Sequence, residues 1–160
     1  MENEEYLDAL LSLPALADWP GVSRDGRWVA WTWLRAAPVA DVWVAPADGS
    51  APPLRLTETS ENTYLVSWTP DSRAVIVEED KSGDERVRLF RVDLSRPRSM
   101  TPLTEPNPGY FLSGGQLHPD GRRLVYGANY DFARHEEIEP TWVYCHDLQT
   151  GKRRVLARPA

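Results

Sequence analysis

One pattern constrains this chain more than any other: a turn of fixed chemistry that occurs three times. The turns are Ser23-Arg24-Asp25-Gly26-Arg27, Thr69-Pro70-Asp71-Ser72-Arg73 and His118-Pro119-Asp120-Gly121-Arg122, their aspartates 46 and 49 residues apart. An apolar stretch follows each: Trp28 to Trp33, Ala74 to Val77 and Leu124 to Tyr126. A further stretch carries a central aromatic, Trp43, Phe90 or Tyr144. Each unit closes on a short run: Leu54 to Thr57, Pro102 to Thr104 and Arg154 to Ala157. Proline pre-sets φ for the first central position of a type I turn, aspartate suits the next, and glycine takes a left-handed φ without strain. Such turns join antiparallel strands. Arg24 in place of proline and Ser72 in place of glycine predict two less favourable turns.

Each unit therefore reads as four antiparallel strands. The first begins with a leading strand near Asp18 to Val22. The strands are apolar on both sides, with Val29, Trp31 and Trp33 on one face of the first unit and Trp28 and Ala30 on the other. A sheet with one wet face would alternate more cleanly. Two buried faces, repeated every 40–50 residues, predict an all-β fold: a partial β-propeller of three four-stranded antiparallel blades. The blades are expected at about 16–57, 63–104 and 110–157 within one domain, 1–160. Propellers close with about four to eight blades. Three blades predict either further blades in a longer protein, an open arc, or two copies joined head to tail as a six-bladed homo-oligomer. The faces left for that contact are Val29, Trp31 and Trp33 or Trp28 and Ala30 in the first blade, and Leu124 and Tyr126 or Val125 in the third.

Composition narrows the function. A net charge of −6 argues against a general nucleic-acid binder, which needs a basic face to displace counterions. No apolar run approaches the roughly 20 residues of a membrane span. A single cysteine, Cys145, excludes an internal disulfide framework and a cysteine-based zinc cluster, and is expected to be a small core residue. The start of the chain is acidic where a secretory leader is basic. Residues 4–13 are expected as a short amphipathic helix that Pro14 stops, and the expected location is cytoplasmic.

The Pro-Asp-Gly-Arg turn, the apolar strand after it and the closing Asp147-Leu148-x-x-Gly151 resemble the TolB-type propeller repeat. The opening segment is more specific. Tyr6 to Leu13, Pro14 to Trp19 and Val22-Ser23-Arg24-Asp25-Gly26-Arg27-Trp28-Val29-Ala30-Trp31 resemble the start of the propeller in the prolyl oligopeptidase family, acylaminoacyl-peptidase-like branch. The acidic run Asp80 to Asp93, Asn129, and Tyr144 with Asp147, Leu148 and Gly151 are similar to later parts of that propeller. The resemblance covers nearly the whole chain. It implies a propeller of about seven blades that limits the access of peptide substrates to an α/β-hydrolase domain carrying a Ser-Asp-His triad. No catalytic residue is carried over, because that domain is not in this sequence.

Direct inspection for chemistry agrees. The nucleophile elbow G-x-S-x-G is absent; Ser23 is a repeat-turn residue, and Phe111 stands where an elbow around Ser113 would need glycine. Of the three histidines, His118 sits in a turn, His135 stands apart, and His146 is a strand neighbour of Cys145, so those two side chains point to opposite faces. No metal or cofactor is expected. The run Asp80 to Glu85 lacks the register of a calcium loop and reads as a solvated hairpin with its turn at Ser82-Gly83. The third blade carries five or six extra residues within Asn129 to Pro140. They are expected as a loop, on the same face as the blade connections. Its Arg134, Glu136, Glu137 and Glu139 are the candidate substrate-binding residues. They read either as plain surface insertion or, by analogy with the propeller glutamates of dipeptidyl peptidases, as a holder for a peptide's free amine. Two functions follow: a noncatalytic propeller segment of a serine peptidase, or a TolB-like module for protein binding or assembly. A propeller glycosidase would need paired carboxylates on inner strands, and none are placed so.

Overall fold

The three repeat turns share one hydrogen-bond scheme. Asp25, Asp71 and Asp120 each accept through Oδ1 from the backbone N–H two residues on, at 3.1, 3.1 and 2.9 Å. In the first two, Ser23 Oγ and Thr69 Oγ1 donate to that aspartate and accept from Trp28 and Ala74 N–H. In the third, His118 Nδ1 accepts from Asp120 N–H instead. The residue after each aspartate is left-handed: Gly26 at φ 70°, Ser72 at 58° and Gly121 at 68°. Ser72 bears that strain, but its Oγ accepts the Asp25 N–H across two sheets at 3.1 Å, which offsets part of it.

The computed structural model describes residue 9 and residues 12–106 and 109–159. Strands β1 (Ala15–Leu16) and β2 (Gly21–Val22) both pair with β3 (Trp28–Leu34), which pairs with β4 (Asp41–Pro46) and then β5 (Leu54–Arg55). The second sheet runs β6 (Thr63–Trp68), β7 (Ala74–Glu79), β8 (Arg88–Asp93), β9 (Met100–Pro102). The third runs β10 (Leu112–Leu117), β11 (Arg123–Asp131), β12 (Glu136–Asp147), β13 (Arg153–Ala157). All described pairings are antiparallel. The architecture is the expected partial propeller of three antiparallel sheets. The helix expected over 4–13 lies almost wholly outside the described residues. The leading strand of the first sheet departs from expectation: it is split into β1 and β2, because Asp18 to Pro20 leave the ladder between two short pairings, the last bond before the break running from Ala17 N–H to Thr32 O.

Each sheet packs on the next through opposite faces, in one alternating order. Ala30, Val42, Val44 and Leu56 of the first sheet meet Val75, Val77, Val92 and Phe90 of the second. Ile76 and Leu89, on the second sheet's other face, meet Leu124, Tyr126, Ala128 and Tyr144 of the third. We call the surface a sheet turns toward the next its front and the other its back. Thus Trp28 and Ala30 lie at the first joint, whereas Val29, Trp31 and Trp33 are on the back of the first sheet, half-buried. Val125 lies on the open front of the third, and Leu124 and Tyr126 lie inside.

Polar bonds stitch the joints. Leu65 N–H donates to Thr32 Oγ1 at 2.8 Å and the Trp68 indole to Gly21 O at 2.8 Å. Ser67 Oγ donates to Gly115 O at 2.6 Å. A threonine beyond each outer strand of the first two sheets also repeats its role: Thr57 Oγ1 accepts from Val42 N–H, and Thr104 Oγ1 from Leu89 N–H. Beside Thr57, Asp41 is fully buried, accepting from that hydroxyl and from Arg55.

Gly115 is where the third sheet's inner strand comes closest to the second. A Cβ there would lie 3.1 Å from Leu89 Cδ1 and 3.4 Å from Val66 Cγ1. Replacing Gly115 with leucine is expected to lower unfolding stability by about 1–3 kcal/mol, the cost of overpacking a filled joint. Urea unfolding followed by tryptophan fluorescence measures it.

Candidate functional site

The extra residues of the third sheet form no loop. β11 runs on to Asp131 and β12 starts at Glu136, with Tyr130 opposite Glu137 and Asp131 opposite Glu136. Backbone pairing needs no apolar side chain, so a polar stretch prolongs the hairpin instead of leaving the sheet. The turn is closed by Asp131, whose Oδ1 accepts from Ala133 and Arg134 N–H, and by His135 at φ 58°.

The four candidate residues do not converge. Arg134 and Glu136, both exposed, approach at 3.5 Å. Glu137 accepts from Asn129 Nδ2 at 3.0 Å, and Glu139 is exposed. Only Arg134 of the four borders a cleft.

That cleft, about 750 Å³, opens where the hairpin and β13 face the segment after β9. Its wall is aromatic. Tyr110 stacks on Tyr130 with centroids 4.7 Å apart, and Phe132 meets Tyr110 and Tyr144 edge-on at 5.1 and 4.8 Å. Tyr144 donates its hydroxyl to Tyr130 O at 2.5 Å, which ties the hairpin down on the core. At the floor, the Arg153 guanidinium lies 4.2 Å from the Phe132 centroid, donates to Tyr126 Oη at 2.6 Å and pairs with Glu105. Glu105 also accepts from the Tyr110 hydroxyl. Sequence reasoning missed this group, because Glu105 and Arg153 are brought together only by the joint between the second and third sheets. The aromatic density of Tyr126 to Phe132 was its one signal.

The electrostatics are fixed. Burial and the bond to Glu105 push the Tyr110 hydroxyl far above its ordinary range, and burial pushes Tyr126 up to about 12. Burial opposes charge on Glu105, yet the bonds from Tyr110 and Arg153 outweigh it and hold the carboxyl below the usual range. The cleft thus offers aromatic faces and a compensated ion pair, and the raised Tyr110 and Tyr126 hydroxyls are not proton shuttles at neutral pH.

The acidic run on the second sheet serves its own backbone. Asp84 Oδ1 accepts from Lys81 and Arg86 N–H, and Glu61 accepts from Ser82 N–H. Ser82 and Gly83 are both left-handed, a hairpin turn as expected. Among the described residues, no group of three His, Cys, Asp or Glu side chains is arranged to hold a metal, and no helix is long and apolar enough to cross a membrane. Cys145 is half-buried on the third sheet's open front and not in the core.

No family model matches the chain, and no curated protein matches it. Solved structures do. TolB from Acinetobacter baumannii superposes with a TM-score of 0.66 at 23% identity, over 91% of this chain and 33% of that one. A putative TolB from Agrobacterium tumefaciens gives 0.62 at 22% identity, over 88% and 48%. A structure from a study of two prolyl endopeptidases and their inter-domain dynamics gives 0.57 at 20% identity, over 92% and 22%. The chain is similar in fold to TolB propellers and to the propeller of a prolyl endopeptidase, and spans from about a fifth to about half of those proteins.

His146 is buried with no partner for Nδ1, edge-on to Tyr126. Burial and the nearby Arg153 charge lower its pKa from 6.5 to about 4. The unfolded chain therefore binds an extra proton between those values, and stability falls as pH drops from about 6.5 toward 4. We expect a loss of about 1–2 kcal/mol for this residue, discounted because bulk water is close. Urea midpoints at pH 7 and pH 5 for the native chain and for His146→Gln measure it: the substitution flattens the slope.

Proposed function

We propose that this chain is the noncatalytic propeller segment of a prolyl-oligopeptidase-like serine peptidase, and that it limits which peptides reach a hydrolase domain outside this sequence. The observation that carries the reading is the fan of sheets. Three sheets locked face to face make a rigid wall, and their inner strands β2, β6 and β10 line one groove of about 490 Å³ with Gly21, Trp68 and Leu117 along it. A wall of this kind selects by size, since it does not yield as a mobile loop does. The likeness to a prolyl endopeptidase fold and the opening segment Val22 to Trp31 support the family. On this reading the exposed Arg134 and the carboxylates of the β11–β12 hairpin are the groups on offer to a peptide's terminal charges.

A second reading, a TolB-like module for protein binding or assembly, draws on the higher TM-scores to the two TolB structures. The two part on one experiment. An antibody raised against the 160-residue chain is used to capture its native polypeptide from source cells, which is then treated with a fluorophosphonate serine probe. The peptidase reading predicts a labelled polypeptide larger than 18.1 kDa and no labelling of the isolated chain. A native polypeptide that contains this sequence and takes no label contradicts it.

A further inference from the structure

The cleft beside the β11–β12 hairpin differs in charge from the chain as a whole. Arg134, Arg153 and Arg158 line it against Glu105 and Asp131, which leaves the lining one charge positive in a chain of net −6. Both carboxylates are already engaged. Glu105 pairs with Arg153 and accepts the Tyr110 hydroxyl. Asp131 accepts from Ala133 and Arg134 N–H, and its side chain is 12% exposed. Two guanidiniums remain, both at the hairpin end. Arg134 is 75% exposed and reaches Glu136 and Asp131 only at 3.5 and 3.8 Å. Arg158 stands over the Trp142 ring at 4.1 Å. Its charge acts on the Tyr144 hydroxyl, which burial and Asp131 push up and Arg158 opposes, and that hydroxyl is bonded to Tyr130 O. Beside these cations are two half-buried rings, Tyr130 and Phe132, backed by Tyr110 and Tyr144. The cleft is lined from the back of the third sheet and from the segment after β9, at a joint inside the fan. Blades added at either end of the fan would meet other surfaces, the back of the first sheet and the front of the third.

We propose that this cleft binds the carboxyl-terminal residue of a peptide when that residue is aromatic, with its ring against Tyr130 and Phe132 and its carboxylate paired with Arg134 and Arg158. An apolar ring alone would leave the two guanidiniums without an anion, and a small anion alone would leave the rings wet. An aromatic residue with a free carboxylate answers both, through ring contact and charge-assisted hydrogen bonds. The positive lining disfavours a free amine. The volume lies within the range of about 300–1,000 Å³ in which pockets take ligands of this size. The inference extends the peptidase reading at one point, the offer of Arg134 to a peptide's terminal charge, and needs no hydrolase domain. It is tested by binding to this chain, whereas the peptidase reading is tested by labelling of the native polypeptide, so either fails without the other.

The test is calorimetric titration of the 160-residue chain with three tetrapeptides, each acetylated at its amino end: Ala-Ala-Ala-Phe with a free carboxylate, the same peptide amidated at its carboxyl end, and Ala-Ala-Ala-Ala with a free carboxylate. The first is expected to bind about five-fold more tightly than either of the others, the scale of one exposed ion pair. Arg134→Gln and Arg158→Gln, both at exposed positions, are each expected to lessen the preference for the free carboxylate and to leave binding of the amide unchanged. In the native chain, the amide resonances of Ala133 to His135 and of Arg158 are expected to shift with the first peptide. The peptide comparison and the shift map use the native chain, so neither depends on a variant folding. No binding of the first peptide at millimolar concentration overturns the proposal, as does equal binding of acid and amide, or a preference that both variants keep in full. Shifts centred on Gly21 and Leu117 overturn it as well, since the peptide would then lie on the inner strands. So does tighter binding of adenosine monophosphate than of the first peptide, which would mean that the arginines and rings read a nucleotide.

Discussion

An aromatic side chain at the centre of one sheet, packed with the aliphatic front of the sheet before it, recurs at both joints between the described sheets. Phe90 packs on the cluster that holds Val42 and Val44, and Tyr144 belongs to the one that holds Ile76 and Leu89. Burial of each such side chain is worth about 1.5–3 kcal/mol, and no single four-stranded sheet here buries both of its faces alone. Among the described residues, the second sheet takes part in both core clusters, one on each face, which is why Val75, Ile76 and Val77 are fully buried in succession along one strand. Its run of consecutive apolar residues, so unlike an alternating surface strand, follows directly from its place between two neighbours.

Everything else hangs on that stacking. The polar bonds between sheets are short-range stitches that fix register: Leu65 to Thr32, Trp68 to Gly21, and Ser67 to Gly115. The cleft beside the β11–β12 hairpin exists only because the second joint brings Glu105 against Arg153 and the tyrosines. Its ion pair is partly buried, so removal of either partner leaves an uncompensated charge, whereas the intact pair adds little to stability. The pair serves to fix how the hairpin sits on the core.

The sequence made the repeat legible because the turn chemistry is local. An aspartate side chain that reaches the N–H two residues on, and a left-handed residue beside it, are set by three or four neighbouring residues. The fan followed from that period and from strands apolar on both faces. Three features were not legible. The split of the leading strand depends on how Asp18 to Pro20 leave a ladder whose partner strand lies further along the chain. The strand extension through Asn129 to Asp131 and Glu136 to Pro140 is expected as a loop from its extra length over the other two units, and length alone does not tell an insertion from a longer hairpin; the hairpin satisfies its backbone by pairing and lets the charged side chains stay wet. The cleft joins residues 48 positions apart, Glu105 and Arg153, and no spacing rule connects them. Which face of the first sheet enters the joint is set by the packing of Ala30, and not Val29, on the second sheet, and both faces of that strand are apolar in sequence.

The central claim is that the sheets are one cooperative unit through their joints. Native-state hydrogen exchange on the chain carrying Leu89→Ala tests it most directly, because Leu89 is fully buried in the core cluster of the second joint and does not belong to that of the first. The account predicts that slow amides in β3, β7 and β11 lose protection together and by a similar amount, of order 2–5 kcal/mol. Loss of protection confined to the second and third sheets, with β3 unchanged, would mean that the first sheet stands by itself, and would contradict it.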